Sequence, residues 1–321
     1  AGTHTLTASN TQTTLSGSLS NGTLGKSGAG TVILSGANTL SGLDVNAGAV
    51  TVSNASGLTG ITAVNLTTAG AQLNMSGVDL TIDSLTGAAG TVLDTQGNKL
   101  TIDGSQTTTF AGEITNAGGG QLEHAGTGQL TLSGDNTYEG TTTISDGTVV
   151  ITGSVDGNVY VNGGTFVIGN DNALNSEATL IIGSGNLQSD NDARVLNAGV
   201  PISVEGNFAV TGSNELTLGG AVNLNSGTRT ITITESDQTT ALAGVISTGG
   251  LVKSGAGQLN LTGANTFSDG FTLNAGTVGI GNDAALGNGI VTINGGTIAA
   301  LGEGEVGNDV DVNADFSIAG G

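Results

Sequence analysis

Cysteine is absent from this 321-residue chain, proline occurs once, at Pro201, and tryptophan not at all. Without cysteine there is no disulfide, no thiolate nucleophile and no sulfur ligand for a metal. That suits a reducing compartment, or export as an unfolded thread that an early disulfide would jam. Rings are scarce as well, with two Tyr and six Phe. A compact globule of this length fills a thick core with aromatic side chains. The interior here must instead be thin and built from stacked Val, Ile, Leu and Ala.

Positive charge is the next deficit. Lys26, Lys99, Arg194, Arg229 and Lys253 stand against 26 Asp and Glu, for a formal net charge of −21. Phosphate backbones require a basic footprint, so nucleic acid is excluded as a partner. Anionic lipid headgroups and sulfated glycans are disfavoured for the same reason. Basic partners and divalent cations stay open, and the charge also keeps a large surface in solution. No apolar run approaches a membrane span, so no direct membrane insertion of this segment is expected. No basic stretch leading into an apolar one opens the chain, so any signal peptide is expected to have been removed. The pattern breaks off at "VDVNADFSIAGG" (310–321), as expected of a piece of something longer.

What is plentiful is Gly, 58 residues of it, with Thr, Ser and Asn set around alternating aliphatics. A hydrophobic share of 36% with regular alternation argues against disorder. "DLTID" (79–83) returns as "KLTID" (99–103), and "NAGTV" (274–278) as "NGGTI" (294–298), each a step of twenty residues. Short alternating runs such as "TVIL" (31–34), "QLTL" (129–132) and "TITIT" (230–234) read as strands with one buried face. Gly, Asn, Asp and Ser between them supply turns. Strands that step by about twenty residues describe a parallel β-solenoid, each strand bonding to its counterpart one coil on, ~4.8 Å away. Parallel crossovers are right-handed by rule. The expected fold is all-β: a right-handed parallel β-helix of about 20 residues per coil, continuous over residues 1–321.

Period two puts Val78, Leu80 and Ile82 on one face and Asp79, Thr81 and Asp83 on the other. Leu100 then stacks on Leu80, Ile102 on Ile82, and Lys99 is expected to meet Asp79. Asp103 over Asp83 is either a pair of solvated carboxylates or a weak cation site assisted by Asp94 or Asn98.

One fourteen-residue stretch is written three times: "KSGAGTVILSGANT" (26–39), "HAGTGQLTLSGDNT" (124–137) and "KSGAGQLNLTGANT" (253–266). Repeat copies extend near 26–58, 124–154 and 253–300. Gly28 and Gly30, with Gly126/Gly128 and Gly255/Gly257, permit a tight corner. Asn38, Asn136 and Asn265 are placed for an internal ladder or a turn bond. Leu40, Tyr138 and Phe267 follow as apolar plugs. His124 stands where the other copies have Lys, and is expected as a solvated turn residue. These motifs, with "ALGNGIVTINGGT" (285–297), resemble the passenger-associated repeat of bacterial autotransporters, and the chain resembles an AIDA-I-type passenger. The resemblance implies a β-helix displayed outside a Gram-negative outer membrane by a C-terminal barrel that is not in this sequence. The implied function is adhesion: self-association between passengers on neighbouring cells, aggregation and biofilm formation, or binding of a host matrix protein or glycan, or a passive stalk.

Chemistry is hard to find. Lyases and glycosidases on β-helices need converging carboxylates, often with Arg or Lys, and Arg194 and Arg229 lie many residues from Asp79, Asp83, Asp94 and Asp103. His4 and His124 are too far apart in sequence to share a coil, and no Gly-x-Ser-x-Gly or His-Glu-x-x-His occurs. No enzyme and no cofactor are expected. "SDND" (189–192), "IGNDNAL" (168–174) and "IGNDAAL" (280–286) are oxygen-rich but lack the calcium nonapeptide spacing, so turn chemistry explains them. The residues placed for surface interaction are Asp79, Asp83, Asp94, Lys99, Asp103, Asp190, Asp192 and Arg194. A host ligand would favour the irregular segment 186–206, which holds Arg194 and Pro201.

Overall fold

The computed structural model describes residues 2–54, 58, 60–116, 118–302 and 305–320. Every regular element among them is a strand, and the strand pairings within each unit are parallel. The chain divides into two compact units, Ala1–Asn158 and Val159–Gly321. Each is a β-solenoid.

In the first unit three sheets form the walls. The first sheet stacks Thr3–Thr7, Thr23–Ser27, Gly42–Val45, Ala63–Leu66, Ser84–Gly87, Thr107–Phe110, Gln129–Leu132 and Thr148–Ile151. The second runs through Gln12–Leu15, Thr31–Leu34, Ala49–Val52, Gln72–Met75, Val92–Asp94 and Glu113–Thr115. The third stacks Leu80–Ile82, Lys99–Ile102, Gln121–His124 and Thr142–Ile144. Leu100 pairs with Leu80 and Ile102 with Ile82, as the twenty-residue step requires.

Alternation decides which side chains face inward. Leu43, Val64, Leu85, Leu130 and Val149 fill one interior column of the first sheet, all of them buried. A neighbouring column runs Lys26, Val45, Leu66, Gly87, Phe110, Leu132 and Ile151. Burying one such aliphatic contributes about 1.5–3 kcal/mol, and the column repeats this coil after coil. Gly87 is bare for a reason: a Cβ there would lie 2.4 Å from Cε2 of Phe110. The small residue makes the space the ring occupies.

In the second unit one column holds Phe208–Val210, Thr228–Ile233, Gly250–Ser254, Phe271–Leu273, Val291–Ile293 and Val310–Val312. A second sheet of seven strands runs from Arg194–Leu196 to Ser317–Ala319. The segment 186–206 is an ordinary coil of this stack, not an outgrowth. Its strands Arg194–Leu196 and Ile202–Val204 pair in register with later coils, and the Pro201 carbonyl accepts from the Leu180 N–H at 3.0 Å.

The repeat copies do not share one edge of the solenoid. The first copy begins in the first sheet with Thr23–Ser27, whereas the second begins in the third sheet with Gln121–His124. The next strand of the second copy, Gln129–Leu132, then falls in the column where the first copy started. The motif encodes a corner, and two different corners of the first unit accept it.

Candidate interaction surface

Two of the three repeat corners are closed by a cation turned inward. Lys26 and Lys253 are fully buried. The Lys26 ammonium donates to the carbonyls of Ser27 at 3.1 Å, Gly28 at 2.6 Å and Ala47 at 2.7 Å. Lys253 donates likewise to Ser254 at 2.8 Å, Gly255 at 2.8 Å and Ala275 at 3.2 Å. Two carbonyls come from the lysine's own turn and the third from the next coil. Burial pushes the Lys253 ammonium down to about 8 and lowers Lys26 too; three carbonyl acceptors offset that cost. Gly28 and Gly255 adopt φ of +78° and +79°, which aims their carbonyls at the ammonium without a clash from Cβ.

His124 departs from its expectation. It lies in a strand and is buried, because period two places it on the same side as Leu122, between Ile102 and Ile144. The signal was in the sequence: "LGK" (24–26), "LVK" (251–253) and "LEH" (122–124) all alternate an inward Leu with the basic residue. A basic side chain reads as solvated unless its carbonyl acceptors can be foreseen.

The three asparagines fasten coil to coil. Asn38 Oδ1 accepts from Leu19 N–H at 2.8 Å, Asn136 Oδ1 from Ile114 N–H at 3.0 Å, and Asn265 Oδ1 from Ile246 N–H at 2.7 Å. The Asn136 amide also donates to Gly134 O at 2.8 Å and Ser154 O at 3.0 Å, so one side chain ties three coils. Leu40, Tyr138 and Phe267 are buried plugs, and the Tyr138 hydroxyl meets that of Thr142 at 2.5 Å. Burial of the ring holds the Tyr138 phenol well above its ordinary range.

The residues picked for the surface are not gathered in one place. Lys99 pairs with the carboxylate of Glu123, one coil ahead, and not with Asp79. Asp79 is already engaged, its Oδ1 accepting the Lys99 backbone N–H at 2.8 Å. Glu123 is held below the usual carboxylate range by that lysine. Asp83 and Asp103 are exposed beside the third sheet, while Asp94 sits on the second sheet and accepts from Gln96 N–H at 3.0 Å within its own turn. Asn98 is tied to Thr95 O at 2.8 Å and Met75 O at 3.0 Å. Asp94 thus lies on a different sheet from the strands that Asp83 and Asp103 follow. In the second unit Arg194 grips Asp190 bidentately, Nε and Nη2 both at 2.7 Å, and reaches Asp192 at 3.2 Å. That fork holds the Asp190 carboxyl below its ordinary value. Among the described residues no group of three or more His, Asp or Glu could hold a metal ion. Asn170 and Asn282 cap their own turns, accepting from Asn172 and Ala284 N–H at 2.9 Å.

Charge is distributed unevenly over the walls. The eight strands of the first sheet in the first unit contain one carboxylate, Asp44. It accepts from the Asn65 amide at 2.7 Å, and Asn65 in turn accepts from Thr86 at 2.7 Å. The outward column continues as Thr109, Thr131 and Val150. In the second unit the seven-stranded sheet has no carboxylate at all. Its outward columns are Val195, Thr217, Ala241, Asn260, Gly279, Ala299 and Ala319, of which Ala241 and Gly279 are covered by their neighbours, and Thr239, Gln258, Thr277, Thr297 and Ser317. Alongside lies an asparagine ladder, Asn274 to Asn294 at 2.9 Å and Asn294 to Asn313 at 3.0 Å. Sequence reading did not find these faces, because they are defined by which strands share a wall.

Residues 24–52, 122–151 and 251–280 match the model of the passenger-associated-transport-repeat. Over 307 residues, 94% of this chain, the sequence is 38% identical to the "Adhesin BmaC autotransporter" of Brucella suis biovar 1 (strain 1330), of which it spans 8%. No solved structure matches the chain.

Proposed function

We propose that this chain, which carries the repeats and the sequence of an autotransporter passenger, is an adhesive segment displayed on the outside of a Gram-negative cell. Its role is to join neighbouring cells by contact between like passengers, leading to aggregation and biofilm, with no catalytic step. The support from relatives is the named adhesin above. The support from the structure is the pair of carboxylate-poor walls on a chain whose net charge is −21. Two copies approaching on a wall that carries carboxylates, such as the third sheet with Glu123, bring like charges together, at a cost that grows as water is excluded. On these walls Thr, Asn, Gln and Ser meet their own kind and exchange hydrogen bonds.

Magnitude limits what one contact achieves. A wall of seven strands at ~4.8 Å spacing, each about three residues or ~10 Å long, offers roughly 300 Å², well under the ~800 Å² per partner of a stable complex. A single pair is therefore weak, and adhesion needs many passengers acting together on each cell. Sedimentation of cells displaying the segment tests this. Thr131→Glu with Thr277→Glu should disperse the clumps, while Thr101→Glu, on the third sheet beside Glu123, should leave them intact. Clumping that ignores both changes would move the contact off these walls, and cells that never clump while retaining a matrix protein or glycan on them would replace self-association by binding to a host surface.

A further inference from the structure

The three repeat corners are built alike but do not all hold the same side chain. Gly48, Gly147 and Gly276 close them from the next coil, with φ of +66°, +58° and +74°. A Cβ on Gly48 would press the carbonyls of Gly28 and Gly30, one on Gly147 those of Gly126 and Gly128, and one on Gly276 those of Gly255 and Gly257. In the first and third corners the occupant is an ammonium with three carbonyl acceptors. In the second it is the His124 imidazole. Its Nε2 lies 3.0 Å from Gly128 O and so carries the proton that it donates there. Its Nδ1 is buried and has no hydrogen-bond partner.

We propose that His124 makes the second repeat corner acid-labile, a device that the lysine corners lack. A neutral imidazole fits, since an unpaired lone pair is the smaller penalty. A second proton on Nδ1 adds a buried N–H and a full charge where no acceptor lies, and burying an unpaired charge is costly. The corner then opens, or the ring turns out to water, and the pairing of Gln121–His124 with Thr142–Ile144 loosens with it. No neighbouring group supplies the missing acceptor. The ionisable side chain on the preceding strand is Lys99, which pairs with Glu123 of His124's own strand. Asp103 and Asp146 follow the two flanking strands and are exposed, and Asp146 accepts from Gly147 N–H at 2.7 Å. Thr142–Ile144 carries no ionisable residue.

Hydrogen exchange of the whole chain, corrected for the intrinsic effect of pH, reads this directly. Between about pH 7.5 and about pH 5, where imidazoles gain a proton, residues 121–128 should exchange at least about fivefold faster. Residues 23–30 and 250–257 should not change, because their corners hold Lys. His124→Lys should give the second corner the flat profile of the other two, and His124→Gln, which cannot titrate, should also be flat. If 121–128 follows the two lysine corners in the unaltered chain, or if the acceleration survives in either variant, the proposal fails. The unaltered chain alone decides the matter should a variant not fold.

Discussion

The Lys26 ammonium lies 2.7 Å from the carbonyl oxygen of Ala47, twenty-one residues further along the chain. A charge at the centre of a nearly dry corner thus bonds two successive coils, and Lys253 repeats the arrangement with Ala275 at 3.2 Å. The repeat motif acts as a clamp between coils as much as a turn.

Lys253→Met keeps the stem of the side chain and removes the donors. Three carbonyls then face an apolar group, and the loss should be about 2–4 kcal/mol. Lys253→Arg should recover little, because a planar fork does not reproduce three converging donors. Urea unfolding followed by circular dichroism checks both; an unchanged midpoint for Lys253→Met would show that the carbonyls find water instead.

Much of the fold was legible because a solenoid converts sequence distance into contact. The Leu80–Leu100 neighbours and the plugs at Leu40, Tyr138 and Phe267 follow from period and step, whereas the asparagines, expected in a ladder or a turn bond, also accept from N–H groups of the preceding coil. Polar partnerships were less legible, since they depend on fractions of a coil. Lys99 reaches forward to Glu123 because a backbone N–H has claimed Asp79. Coil lengths vary as well: register partners lie 19 residues apart at Thr23 and Gly42 but 22 apart at Thr107 and Gln129. Which residues share an outer wall is therefore hidden until every coil is counted.

Asn136→Ala removes bonds to Ile114, Gly134 and Ser154 and should destabilise the first unit by about 2–3 kcal/mol. Asn136→Asp should be worse. A carboxylate still accepts from Ile114 N–H but presents its second oxygen to two carbonyls, and it buries a charge. The order Asn above Ala above Asp in urea midpoint is the expected result, and Asp equal to Asn would overturn the three-coil fastening.

Acid should weaken the segment around Arg194. The Asp190 carboxyl is held below its unfolded value, chiefly by the hydrogen bonds from Arg194. A group with a depressed native pKa contributes stability that is complete above its unfolded value near 4 and is lost as pH falls through the lower native value. The pair is partly exposed, so the contribution is about 1 kcal/mol. Asp190→Asn should therefore cost that much at neutral pH and nothing at the acid end. The difference in unfolding midpoint between the two proteins, followed from neutral pH downward, should shrink toward zero; a constant difference would mean that the ion pair is not its source.

Gly87 and Phe110 offer the sharpest test of the stacking itself. A methyl at position 87 would sit 2.4 Å and 2.5 Å from ring carbons of Phe110 and 2.9 Å from Thr91 Oγ1. Gly87→Ala should cost about 1–3 kcal/mol by overpacking. Phe110→Ala leaves a cavity and should cost about 3–5 kcal/mol. In the double variant the new methyl enters the vacated space, so the two losses should fall short of their sum by about 1 kcal/mol or more. Residues 87 and 110 are 23 apart in sequence, and only the coil-on-coil register joins them. Simple additivity in urea unfolding would separate them in space and, with them, the register of the whole first sheet between Ser84–Gly87 and Thr107–Phe110.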